Sequence, residues 1–324
     1  MMKAALMAGS EKTLRRVFTQ RQISEIEMLL GNKPAVIECM EAPGGDEDFI
    51  FSTWGFPKID VKKYPNLKAV FYGAGSVQLF ARNLLENDIR LFSAWKANAV
   101  PVAEFTFAQI LLAVKGFFPA LSVSKKNRPE GNRLINAHPG AYKTKVGLLG
   151  LGAIGTLVAE RLKTTDLEVW AYDPFVKEEK AKALNVRLTT LEDIFENCQV
   201  VSNHIANLPS TVGILKKEHF MSMKDYSCFI NTGRGAQLNE MDLYEALKEN
   251  PTRFALLDVI TDEHNFDKCV LNELDNCFIT PHMAGTSGLE TERMGQRMVD
   301  NLKLFLEGRT SEDEVYMKML ETMA

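Results

Sequence analysis

The chain has 324 residues, 46% of them hydrophobic and 25% charged, the balance of an ordinary globular protein, and at about 150 residues per domain this length predicts two domains. Thirty-eight Lys and Arg stand against 42 Asp and Glu, a net charge of −4, which excludes the general basic field that a nucleic-acid partner draws on. The longest mostly apolar stretch, residues 105–114, is broken by Thr106 and Gln109 and falls short of the roughly 20 residues of a membrane span, so no membrane partner is expected.

The apolar patch at residues 4–7 ends at Glu11, Lys12, Arg15 and Arg16 and is too short for a signal peptide. Five cysteines lie far apart with no C-x-x-C pair, so neither a disulfide framework nor a metal site is expected, and a cytoplasmic location fits best. Over residues 3–94, runs rich in Val, Ile and Phe at Ala35–Glu38, Phe49–Ser52, Ala69–Tyr72 and 90–92 alternate with helix-like segments, which predicts a small parallel α/β unit. Residues 98–118 read as one long connecting helix with Pro101 and Glu104 near its start. Residues 125–143, holding Asn127, Pro129, Gly131, Asn132, Pro139 and Gly140, read as a polar loop. A second series follows, with strands expected at Lys145–Leu149, 167–172, 199–204, 227–231, 253–259 and 277–280 and helices between them, such as Glu240–Glu249. Six such strands imply a doubly wound parallel sheet. After His282 the chain reads as helical to about Glu307, and its last residues are expected to return to the first domain.

The strongest motif is Val146-Gly147-Leu148-Leu149-Gly150-Leu151-Gly152-Ala153-Ile154-Gly155, between an expected strand and an apolar-periodic helix. This is G-x-G-x-x-G in the context that dinucleotide binding requires. Gly150 permits the tight turn, Gly152 lets a pyrophosphate approach the N–H groups at the helix start, around Ala153 and Ile154, and Gly155 allows helix to pack on strand. Asp173 follows the next strand. Its carboxylate would accept from an adenosine ribose and repel a 2′-phosphate, so NAD is expected rather than NADP.

Hydride exchange at a hydroxyl or carbonyl carbon needs a proton donor or acceptor at the oxygen and positive charge for a neighbouring carboxylate. Arg234, in Asn231-Thr232-Gly233-Arg234-Gly235, follows an expected strand, and the glycines on both sides leave room for a ligand at its guanidinium, which can grip a carboxylate bidentately. Glu263 follows the strand ending at Asp258-Val259, and His282 follows Phe278-Ile279-Thr280-Pro281. Both fall past carboxyl ends of expected parallel strands, where such sheets bind ligands. His282 is the candidate acid/base and Glu263 its orienting partner.

With these residues in place, nearly the whole chain resembles the D-isomer-specific 2-hydroxyacid dehydrogenase family, including the separations between Arg234, Glu263 and His282. The resemblance implies an α/β fold of two doubly wound parallel-sheet domains. In it, a Rossmann NAD-binding domain, residues 100–285, is inserted into a flavodoxin-like substrate domain, residues 1–99 completed by about 286–324. It implies an NAD-dependent oxidoreductase that transfers hydride between NADH and C2 of a small 2-keto or D-2-hydroxy acid. Arg234 would bind carboxylate and carbonyl, His282 would be the acid/base and Glu263 would tune it. Asp258 would orient the nicotinamide, and His204, Thr232, Gly233 and Gly285 would line the cofactor site. Tyr72-Gly73-Ala74-Gly75 resembles the substrate loop, in which backbone N–H groups at Ala74 and Gly75 hold the carboxylate, and Val102-Ala103-Glu104 resembles the start of the connecting helix. A homodimer is implied as well.

Four positions depart from the family pattern: Val77 for Asp, Phe105 for His, His264 for Pro, and His204-Ile205-Ala206 without its usual Pro. None is part of the expected relay; all bear on specificity. Glu263 stands where formate dehydrogenases place Gln. The loop Ser52-Thr53-Trp54-Gly55-Phe56-Pro57 has an indole where phosphoglycerate dehydrogenases usually offer Arg, so a non-phosphorylated acid is expected, with Trp54 shaping the pocket.

Tyr64 to Lys68 and Tyr244 to Lys248 fit the Tyr-x-x-x-Lys of short-chain dehydrogenases, but the position of the glycine motif points elsewhere, and Tyr244 and Lys248 read as neighbours on one helix. Asp262, Glu263, His264, Asp267 and Cys269 lack the spacing of a metal site. The alternative from another class is an NAD(H)-sensing regulatory protein similar to the corepressors that resemble this family.

Overall fold

The computed structural model describes residues 2–322 and divides into two compact units. One takes in the chain up to Ala99 and again from Thr286, and the other runs from Val100 to Gly285.

The first unit is built on β1 (Ala4–Ala8), β2 (Ala35–Glu38), β3 (Phe49–Ser52), β4 (Ala69–Tyr72) and β5 (Arg90–Ser93). These form a parallel sheet in the order β5-β4-β3-β1-β2, and the short strand Glu314–Val315 adds to the β5 edge in the antiparallel sense. Phe51, Phe71 and Phe92 stack across β3, β4 and β5 with ring centroids 4.9 Å apart at each step, each ring contributing about 2–3 kcal/mol by its burial. The C-terminal helix Glu290–Leu306 lays Met294, Met298, Val299 and Leu302 on this core. It comes so close that a Cβ on Gly295 would lie 1.9 Å from the Val17 carbonyl oxygen. The end of the chain returns here because its apolar stripe has this face to cover.

The second unit is built on β6 (Lys145–Leu149), β7 (Glu168–Tyr172), β8 (Val186–Leu188), β9 (Val200–Asn203), β10 (Cys228–Asn231), β11 (Phe254–Leu257) and β12 (Cys277–Ile279). All seven are parallel, in the order β12-β11-β10-β9-β6-β7-β8. The order reverses between β6 and β9, which marks the crevice where doubly wound sheets take ligands. The seventh strand, β8, escapes sequence reading because Val-Arg-Leu is too short to show a run.

Two segments differ from expectation. Residues 125–143 are not a loop throughout: Arg128–Ala137 is a helix. The residues that read as breakers are its start signals. Asn127 caps it by accepting from Glu130 N–H, Pro129 occupies the first turn, and Glu130 pairs with Arg133. The connecting helix begins earlier, as Trp95–Ala113, so Pro101 lies inside it, where its missing N–H leaves one helical bond unmade. Among the described residues, no single helix is long and apolar enough to cross a membrane.

Candidate active site

Gly150 leaves β6 with φ +93°, and a Cβ there would lie 2.8 Å from the His204 carbonyl oxygen. A Cβ on Gly155 would lie 2.0 Å from the Gly150 carbonyl oxygen, so neither position accepts a side chain. Gly152 is different, because nothing lies within 4 Å of its absent Cβ. No side chain caps the helix Ala153–Leu162 that follows it. Its first N–H groups are therefore open to a phosphate, and the loop fits a dinucleotide. Ile154 packs against the core of this unit.

Asp173 works locally. Its Oδ2 accepts from Leu151 N–H at 2.7 Å, and its Oδ1 accepts from Phe175 and Val176 N–H. Lys180 Nζ donates to the Leu151 carbonyl at 2.9 Å, so the residue whose N–H the carboxylate holds also carries a cation on its carbonyl. On the far side of the loop, His204 Nε2 lies 3.0 Å from Ser202 Oγ, while its Nδ1 is buried without a partner. Burial pushes its pKa down to about 4. At neutral pH it is an uncharged imidazole.

Arg234, Glu263 and His282 follow β10, β11 and β12, which are adjacent and in register at Asn231, Leu257 and Ile279. His282 Nδ1 and Glu263 Oε2 are 2.8 Å apart, with both side chains partly open to solvent. His282 has φ +52°, a conformation that costs a residue with a Cβ and recurs at functional sites. Asp258, almost fully buried, holds it there. Its Oδ1 accepts from Thr280 Oγ1 at 2.6 Å and Met283 N–H at 2.8 Å, and its Oδ2 accepts from Ala284 N–H at 2.8 Å. Its carboxylate thus fixes the histidine's loop, a duty the sequence does not reveal. Gly285 closes the unit just beyond.

Gly233 and Gly235 differ in function. A Cβ on Gly233 would make only ordinary contact, at 3.4 Å, whereas one on Gly235 would lie 2.3 Å from the Ile260 carbonyl carbon and 2.4 Å from Thr261 N. The expectation that both glycines make room for a ligand is corrected at Gly235: the space it vacates is filled by the chain that leads to Glu263. Arg234 Nη1 donates to the Gly233 carbonyl at 2.8 Å. Thr232 is buried, its Oγ1 3.1 Å from Thr106 Oγ1.

Trp54, Ala74 and Gly75 belong to the first unit, past the carboxyl ends of β3 and β4. Thr53 Oγ1 donates to the Gly73 carbonyl, and Ser93 Oγ lies 2.9 Å from both the Ala74 and Gly75 carbonyls. The carbonyls of all three loop residues are thus engaged by buried hydroxyls, and the Gly73 N–H donates to the Ser52 carbonyl at 2.7 Å. Thr53 and Ser93 carry no signal in the sequence, since nothing distinguishes a buried hydroxyl at a strand end before its partner is known. Trp54 is 37% exposed, so it is not core.

Residues 107–284 match the model of the D-isomer specific 2-hydroxyacid dehydrogenase, NAD binding domain. A D-3-phosphoglycerate dehydrogenase of Methanocaldococcus jannaschii is 30% identical over 79% of this chain and 49% of its own length. A protein of Staphylococcus haemolyticus named as a 2-hydroxyacid dehydrogenase is 30% identical over 73% of this chain and 74% of its own. The chain spans about half the length of the phosphoglycerate dehydrogenases it matches. Among solved structures, the NAD-complexed D-isomer specific 2-hydroxyacid dehydrogenase of Lactobacillus delbrueckii ssp. bulgaricus is similar in fold, with TM-score 0.79 at 18% identity, covering 97% of this chain and all of that one. The chain belongs to the D-isomer specific 2-hydroxyacid dehydrogenase family. Its second unit carries the family's NAD-binding domain, and NAD is its cofactor.

Proposed function

We propose that the protein is an NAD-dependent dehydrogenase that interconverts a small, non-phosphorylated 2-keto acid and its D-2-hydroxy acid. The observation that carries this reading is the 2.8 Å contact between His282 Nδ1 and Glu263 Oε2 at the carboxyl edge of the NAD-binding sheet. With Nδ1 engaged, His282 presents Nε2 outward to give a proton to a keto oxygen or take one from a hydroxyl. Glu263 keeps the ring oriented and balances its charge when protonated. Arg234 grips carboxylate and carbonyl with its forked guanidinium and polarises the C=O bond. NADH, held along the glycine loop, would supply the hydride to C2.

The open helix start past Gly152 would hold the pyrophosphate and Asp173 the adenosine ribose, with His204, Thr232, Gly233, Asp258 and Gly285 around the rest of the cofactor. The first unit would be the substrate domain, with the carbonyls of residues 73–75 engaged and the Ala74 and Gly75 N–H groups offered to the carboxylate. The half-exposed Trp54, in a loop without arginine, supports a substrate that carries no phosphate. A cytoplasmic homodimer completes the proposal on the family resemblance, and sedimentation of the purified chain checks it.

The test is NADH oxidation against glyoxylate, pyruvate, hydroxypyruvate and 3-phosphohydroxypyruvate, with NADPH in parallel. Turnover of a non-phosphorylated acid with NADH is expected, falling on the order of 10³-fold in His282→Ala while NADH binding persists. Activity confined to 3-phosphohydroxypyruvate overturns the substrate class. NADH binding with no turnover of any acid overturns the enzyme.

A further inference from the structure

The loop that presents Arg234 is held by a chain of buried carboxamides that the proposed reaction leaves without a role. Asn203 ends β9, Asn231 ends β10, and Gln237 follows Arg234 on the short 3-10 turn Gly235–Gln237; all three side chains are fully buried. Asn203 Nδ2 donates to Asn231 Oδ1 at 3.1 Å and reaches Gln237 Oε1 at 3.5 Å. Asn231 Oδ1 also accepts from Gly233 N–H, and Asn231 Nδ2 donates to the Arg234 carbonyl, each at 3.0 Å. Gln237 Oε1 accepts from Arg234 N–H at 3.0 Å. The peptide groups on both sides of the Arg234 Cα are thus fixed by side chains. Fixing them sets the direction of its Cα–Cβ bond and hence the reach of its guanidinium.

Filling space does not account for Gln237. Its Nε2 is buried with no partner, a destabilising arrangement that a leucine of similar size would avoid. What the carboxamide alone supplies is an acceptor for Arg234 N–H, held in place by Asn203. We propose that Gln237, oriented by Asn203, is a positioning residue that aims Arg234 at the substrate's carboxylate. The inference rests on the carboxylate-binding role proposed for Arg234.

The probe is oxalate, which carries a carboxylate beside a second C–O group, titrated into the complex of the whole chain with NADH. Gln237→Leu is expected to weaken oxalate binding about tenfold, the worth of one lost hydrogen bond to the loop, with NADH affinity unchanged. Gln237→Glu, which keeps the acceptor, is expected to recover most of the loss. Arg234→Lys, measured alongside, is expected to weaken oxalate as well, because an ammonium cannot reproduce the fork. If Arg234→Lys weakens oxalate and Gln237→Leu does not, the positioning role is wrong and the Arg234 assignment stands. If neither changes it, the Arg234 assignment itself falls. A loss in Gln237→Leu that comes with a lowered melting temperature and no recovery in Gln237→Glu would mark a purely structural residue and overturn the inference. Should Gln237→Leu fail to fold, Asn203→Leu removes the amide that orients Gln237, leaves the direct contacts of Arg234 in place, and carries the same expected weakening.

Discussion

Gly235 and Ile260 stand backbone against backbone, so close that a methyl on Gly235 would lie 2.3 Å from the Ile260 carbonyl carbon. The chain after Arg234 and the chain before Glu263 are therefore one packed unit, and Glu240 Oε1 secures it from outside by accepting from Thr261 N–H at 2.6 Å. Gly235→Ala must push these segments apart, at a cost of about 3 kcal/mol for overpacking against backbone that has no rotamer to yield. Thermal unfolding should show a melting temperature lower by roughly 6 °C or more. A variant that melts with the wild type would mean the segments separate freely.

Asp258 offers a sharper perturbation, because its two oxygens serve three donors on the loop that carries His282. Asp258→Asn keeps the shape but turns an NH₂ toward a backbone N–H, leaving a buried donor unpaired at a cost of about 2 kcal/mol. The damage should be local. Hydrogen exchange of the Met283 and Ala284 amides is expected to quicken and turnover to fall, while Arg234-dependent oxalate binding holds. Unchanged exchange at those two amides would show that other contacts fix the loop.

What could be read from the sequence follows from where each piece of information resides. Buried parallel strands are short runs of Val, Ile and Phe, and Phe49–Ser52 or Cys228–Asn231 declare themselves because both faces are covered. The glycine loop is equally plain, since Gly150 and Gly155 are demanded by close backbone approaches that refuse a side chain, and Gly152 completes the spacing while leaving the helix start open. Arg234, Glu263 and His282 could be located because each follows a recognisable strand. The hidden pieces are polar residues whose partners lie on other strands. Gln237 is an unremarked amide until the fold brings it back to Arg234 N–H, and Asp258 shows its hold on His282 only once Met283 and Ala284 are placed. The helix Arg128–Ala137 was concealed for a different reason: Asn127 and Pro129 serve turns and helix starts alike, and only Glu130 pairing with Arg133 decides between them.

Asp173 supports the glycine loop and is the residue proposed to select the cofactor. Its carboxylate already holds Leu151 N–H, and Lys180 holds the Leu151 carbonyl, so removing the acid leaves a cation near the place proposed for the adenosine ribose. Asp173→Ser should raise the KM for NADH by about tenfold, the loss of a charge-assisted hydrogen bond, and should lower that for NADPH, whose added phosphate then meets Lys180 instead of a carboxylate. The ratio of kcat/KM for the two cofactors reads this directly. An unchanged ratio would remove Asp173 from cofactor selection and leave it the support of the glycine loop alone.

His204 makes the fold sensitive to acid. Burial lowers its pKa from 6.5 to about 4, so the native state holds it neutral where the unfolded chain would protonate it. For a depressed histidine, the stabilising difference is intact above the unfolded value and is lost as pH falls between the two values. Below about pH 4 both states are protonated, and nothing more is lost through this group. By pH 5 the loss through His204 amounts to about 2 kcal/mol. Urea unfolding at pH 7.5 and pH 5 should show the wild type losing that much more than His204→Asn, which cannot titrate there. The comparison cancels His138, which is also lowered by burial and is common to both proteins. Equal losses in the two proteins would mean that the imidazole takes up its proton in the native state, by reaching water or a ligand through the Nδ1 that now stands alone.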